Sequence, residues 1–140
     1  MVRLREMVLN NLDEVKIFLK FSMVGVSGAV VDLGLLSILF TRLNVPLTIA
    51  VAVAFIAAVI NNYTWNVLWT YGHQDHSAQH HITLSKFVLV SVVGRGLNEA
   101  IVNLVTGVFG VAFWLIAKLM AMGIVMFWNF VGNRHWTFRE

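Results

Sequence analysis

Phe21-Ser22-Met23-Val24-Gly25-Val26-Ser27-Gly28-Ala29-Val30-Val31-Asp32-Leu33-Gly34-Leu35-Leu36-Ser37-Ile38-Leu39-Phe40 is twenty residues long and carries a single charge, Asp32. A hydrocarbon core of ~30 Å is crossed by about 20 helical residues, so this stretch reads as a transmembrane helix. Three more stretches of that kind follow, at 47–66, 87–108 and 112–131. Their links are 41–46, a polar loop over 69–85 and a tight turn at Phe109-Gly110. The first stretch exceeds a signal-peptide core, and Thr41-Arg42-Leu43-Asn44 offers no small-residue cleavage site, so the span is expected to be retained.

The whole composition agrees. Of 140 residues, 59% are hydrophobic and 12% charged, more apolar side chain than a soluble domain of this size buries. Cysteine is absent, which removes disulfides and thiolate metal sites. Arg3, Arg5, Lys16, Lys20, Lys86, Arg134 and Arg139 flank one side of the four spans and only Arg42 the other. Seven against one predicts both termini and the central loop on the cytoplasmic side of the inner membrane. Residues 1–17 mix charges with Leu4, Met7, Val8, Leu12, Val15 and Ile17, the pattern of an amphipathic helix on the membrane surface.

The halves resemble each other. Lys20-Phe21, six residues, Gly28, three residues and Asp32 match Lys86-Phe87, six residues, Gly94, three residues and Asn98. Asn62-Tyr63-x-x-Asn66-x-x-Trp69-Thr70-Tyr71 matches Asn129-Phe130-x-x-Asn133-x-x-Trp136-Thr137-Phe138. Each copy holds two spans, so the second re-enters the membrane in the direction of the first, as parallel repeats do. The expected fold is an all-α membrane protein whose four transmembrane helices form two parallel tandem helical-hairpin repeats after an amphipathic N-terminal helix. Within a single membrane domain, 1–140, its parts are the interfacial helix 1–17, repeat 1 at 18–71, a cytoplasmic loop at 72–83 and repeat 2 at 84–139.

Lys20-Phe21-Ser22-Met23-Val24-Gly25 resembles the basic-Phe-x-x-Val-Gly opening of GtrA-like membrane proteins. Asn129-Phe130-Val131-Gly132-Asn133-Arg134-His135-Trp136-Thr137-Phe138 resembles their closing Asn-Phe-x-x-Asn-Arg-x-Trp-x-Phe. The resemblance implies a part in cell-surface polysaccharide synthesis: a flippase carrying a polyprenyl-phosphate-linked sugar, such as undecaprenyl-phosphate glucose, from the cytoplasmic to the outer leaflet. One departure is Val67, which stands in the first copy where the second has Arg134.

A charge near a helix centre costs about 2.5–3.5 kcal/mol on insertion scales. Asp32, Arg95, Glu99 and Lys118 are placed near mid-membrane by sequence position, and their formal charges cancel. Two readings stay open: ion pairs that lock helices together, with Asp32 on Lys118, or a polar cavity that receives a phosphate. In the second, Arg95 and Lys118 contact the phosphate, and Asp32, Asn98 and Glu99 line the cavity. Asn62, Asn66, Asn129 and Asn133, with Arg134, form a layer towards the cytoplasmic face, suited either to sugar hydroxyls or to interhelical hydrogen bonds.

No nucleophile elbow, phosphate loop or carboxylate pair of a hydrolase is present, so no catalytic residue, enzymatic activity or cofactor is expected. His73, His76, His80, His81 and Asp75 do not complete a metal site. The expected partners are the sugar lipid, membrane lipids and, because four short helices enclose little space, further copies of the chain; nucleic acid is not among them. Two other functions fit the pattern: a non-transporting subunit that anchors or activates a membrane glycosyltransferase, and a proton-coupled small-molecule exporter using Glu99.

Overall fold

The computed structural model describes residues 2–72 and 80–139, and in residues 2–5 only the backbone. It is all-helical, with four helices long and apolar enough to cross a membrane. They fall into two compact units divided between residues 75 and 76.

The first unit pairs α1 (Val2–Ser37) with α2 (Leu47–Trp65). Helix α1 passes residue 17 without a break, so the amphipathic segment and the first span are one continuous helix. A π turn, Ile38–Arg42, ends it, and Thr41 Oγ1 donates to Ser37 O at 2.6 Å there. Asn44 then takes φ +52°, the left-handed region that asparagine tolerates better than most residues, and Pro46 opens α2. The seam is built from small residues. Ala50, Ala54 and Ala58 are buried on one face of α2, against a partner helix that buries Phe21, Val24 and Gly28. Residues four apart share a helix face, and small ones there bring backbones close.

The second unit pairs α3 (His80–Phe109) with α4 (Trp114–Gly132). Between them Gly110 has φ +96°, strained for any residue with a Cβ, and a 3-10 turn at Val111–Phe113 follows. Phe87, Val90 and Gly94 are buried on α3, and Ala117 and Ala121 on α4.

Helices α2 and α4 both run into π turns, Asn66–Thr70 and Asn133–Thr137. The asparagine that opens each turn explains it. Asn66 Nδ2 donates to Asn62 O at 2.9 Å, and Asn133 Nδ2 to Asn129 O at 2.8 Å. A side chain competing for the i−4 carbonyl loosens the α ladder. The wider i−5 bonds then form, from Tyr71 N to Asn66 O and from Phe138 N to Asn133 O, each at 2.8 Å. Helical structure thus continues beyond the sequence-predicted ends at 66 and 131, and α3 begins at His80 rather than after Ser85. No proline or glycine lies between His80 and Lys86 to stop it, so the polar segment 80–85 is the first turn and a half of a helix.

Most large apolar side chains face outward: Val30, Leu68 and Leu104 are each 67% exposed within the chain. A water-soluble protein does not present such a surface on every helix, whereas acyl chains cover it at no cost.

Candidate functional site

The intramembrane charges lie on faces that the hairpin seams leave open. On α3, Arg95, Asn98 and Glu99 occupy adjoining turns, with Arg95 and Asn98 half-buried and Glu99 exposed. On α4, exposed Lys118 donates from Nζ to Asn98 Oδ1 at 3.0 Å. A neutral amide therefore holds the ammonium inside this unit. Lys118 also lies nearer Val111 than Thr137, the ends of its span, because the helix continues past residue 131. That places it towards the Gly110 turn rather than at the helix centre. Asp32, half-buried on α1, belongs to the other unit.

The four amides have a different character. Asn66 and Asn133 are 1% exposed, with their Nδ2 groups committed to their own helices. Asn62 and Asn129 are half-buried and pack on glycines. A Cβ on Gly28 would collide with the Asn62 amide, and one on Gly94 would come within 2.7 Å of Asn129 Oδ1. Each glycine is thus the receptor for an asparagine across the seam. Arg134, half-buried, lies in the second π turn. Among the described residues no three metal-ligating side chains gather; His73, His76 and Asp75 lie outside those residues.

Two contacts were not foreseen from the sequence. Lys20 Nζ lies 5.6 Å from the Trp69 ring centroid and donates to Trp69 O at 3.5 Å. Lys86 Nζ lies 5.6 Å from the Trp136 ring centroid and donates to Trp136 O at 3.4 Å. Each lysine satisfies a carbonyl left over at a helix C-terminus while its charge sits over an indole face. The clue was present, because these lysines open the first matching motif of each half and these tryptophans stand two residues before the end of the second. A second pair of contacts sits one residue before the seam asparagines. Asn61 Nδ2 donates to Ser27 Oγ at 2.9 Å, and Trp128 Nε1 to Val90 O at 3.1 Å. Trp128 is thereby fixed as a cross-helix donor.

The sequence pattern described as the GtrA/DPMS transmembrane domain matches residues 20–138, opening on Lys20 and closing on Phe138. The chain belongs to this family. A dolichol-phosphate mannosyltransferase of Pyrococcus furiosus is 34% identical over 124 residues, 89% of this chain. The aligned segment is 34% of that enzyme, so the chain spans about a third of its length. The uncharacterized membrane protein YngA of Bacillus subtilis is 28% identical over 128 residues, 91% of this chain and 83% of YngA. Family membership and the four spanning helices make this a multi-pass membrane protein. Both lysine–tryptophan clamps lie inside the family match, whereas the first eighteen residues of α1 lie before it.

Proposed function

We propose that the protein is a flippase that carries a polyprenyl-phosphate-linked sugar, of the undecaprenyl-phosphate glucose class, from the cytoplasmic to the outer leaflet for cell-surface polysaccharide modification. The observation that carries this reading is Lys118: a cation on an open helix face, held by the neutral Asn98 amide, in a chain similar to a protein named dolichol-phosphate mannosyltransferase. A phosphate in hydrocarbon needs its charge matched by a partner, and an amide is exchanged for a phosphate more readily than a carboxylate is. Lys118 and Arg95 receive the phosphate, and Asn98 and Glu99 position them. Asn62, Asn66, Asn129 and Asn133 hold the hairpins that carry it, and Arg134 meets the headgroup at the cytoplasmic end. The isoprenoid tail stays in the bilayer.

In this reading the two hairpins are tandem copies related in parallel. The recurring Lys20–Trp69 and Lys86–Trp136 clamps support that relation. Both termini face the cytoplasm, copies of the chain associate, and no covalent chemistry is performed. Reconstitution tests the function: the purified protein alone should move a fluorescent undecaprenyl-phosphate sugar across vesicles, and Lys118→Gln should abolish most of that movement. Equal rates in protein-free vesicles would end the proposal.

A second reading has its own support. The aligned segment of the Pyrococcus furiosus mannosyltransferase is a third of a longer protein bearing an enzyme's name, as expected if this fold anchors a glycosyltransferase. Activity that appears only when such an enzyme is co-reconstituted, with no lipid movement by this chain alone, would favour it.

A further inference from the structure

The first unit contains a cleft of about 530 Å³ at the start of its first span, lined by Asp13, Lys16, Leu19, Lys20, Met23 and Trp69 among others. We propose that this cleft holds the phosphate headgroup of an anionic lipid between Lys16 and Lys20, a site separate from Lys118 and independent of the flippase reading.

Lys16 and Lys20 are one helical turn apart and so share a face of α1. Lys20 spends one contact on Trp69 O at 3.5 Å, and an ammonium has three donors. Lys16 is held only loosely, 3.4 Å from Asp13 Oδ1, with both side chains well exposed at 71% and 68%. At that exposure the pair contributes little, and a phosphate oxygen can take the ammonium from it. The cleft also has a direction. Met23, 61% exposed, follows Lys20 into the span, and Leu19, 55% exposed, stands just before Lys20, so an apolar wall adjoins the cationic end. That order, charge at the membrane boundary and hydrocarbon below it, is the order of a lipid. Trp69 walls the cationic end with an indole, a group suited to the headgroup level.

The second unit supplies the comparison. Its clamp, Lys86 on Trp136, has the same geometry, yet four residues earlier stands Ile82, 41% exposed. A lysine–tryptophan clamp therefore forms without a second cation, and Lys16 is an addition to the first unit that the clamp does not require. Asp13 and Lys16 also precede the family match at residue 20, so the family pattern does not assign them.

Two lipid sources share this chemistry, a bilayer phosphodiester such as phosphatidylglycerol and a polyprenyl phosphate. The test is native mass spectrometry of the full chain released from vesicles of phosphatidylcholine with phosphatidylglycerol, and in a second arm with undecaprenyl phosphate. A basic residue near the surface favours an anionic lipid by about fivefold, so Lys16→Gln should cut retained anionic lipid about that much. Asp13→Asn, which removes the competing carboxylate, should raise it. Retention in the first arm identifies a bilayer lipid, and retention in the second alone a polyprenyl phosphate. Arg139→Gln makes the same charge change on an exposed residue elsewhere. Phosphatidylcholine held as well as the anionic lipid, no loss in Lys16→Gln, no gain in Asp13→Asn, or an equal loss in Arg139→Gln would each overturn the site.

Discussion

Gly28 and Gly94 show how much one missing Cβ determines. Adding a methyl group at either position drives it into the amide of Asn62 or Asn129, whereas Gly25 and Gly96 face open space. Overpacking of this kind costs about 1–3 kcal/mol. Gly28→Ala and Gly94→Ala should therefore lower thermal stability in detergent, and Gly25→Ala and Gly96→Ala should leave it unchanged. Stability equal across all four would mean the asparagines relocate freely. Lys118 poses the opposite case, a side chain whose loss should spare the fold. It is exposed and its partner in its own unit is the Asn98 amide, so Lys118→Gln and Asn98→Ala should express and melt like the parent. Under the flippase proposal Lys118→Gln translocates poorly, and Asn98→Ala, which leaves the cation in place, translocates better than Lys118→Gln. The spacing of these glycines and asparagines was legible in the sequence, but their partnership was not, because an amide accepts and donates equally well towards a helix, a sugar or water. Only the position of Asn62 against Gly28 decides that this side chain is part of the seam.

At the scale of elements, the spans were readable and their ends were not. Hydropathy located all four helices, since chain length and apolar content suffice for that. Helix ends depend on side chain-to-backbone bonds such as Asn66 Nδ2 to Asn62 O, which convert a predicted stop into a π turn and carry the helix to Thr70. The clamps then fasten those extended ends to the neighbouring helix. A cation over an indole at an exposed site is worth about 0.5–1 kcal/mol, and the bonded C-terminal carbonyl adds to it. Lys20→Gln and Lys86→Gln should each lower stability by about 1 kcal/mol. Thermal unfolding of the two single variants and the double variant checks this. The two losses should add, because each clamp lies within its own unit and shares no partner with the other. Marked non-additivity would show that the two clamps are energetically coupled.

At the scale of the whole molecule, the sequence speaks most directly about orientation. Seven Lys and Arg residues flank one side of the spans and Arg42 alone the other. In segments this short the bias of basic residues sets orientation, because translocating each positive charge opposes the membrane potential. The His-rich loop and the C-terminus are therefore expected in the cytoplasm and the 43–46 link outside. The absence of cysteine makes the test clean, since every thiol introduced reports one position. Leu43 is 63% exposed at the end of the first π turn, so Leu43→Cys presents a thiol without disturbing a packed side chain. In intact cells a membrane-impermeant maleimide should modify Leu43→Cys and leave His76→Cys and Glu140→Cys untouched until the membrane is opened. Labelling of all three in intact cells would indicate a population inserted both ways, which requires balanced flanks and contradicts the charge count. Labelling of His76→Cys and Glu140→Cys alone would reverse the molecule. Asn62, Asn129 and Arg134 would then face the outer leaflet, and a lipid loaded in the cytoplasm would meet Arg42 first.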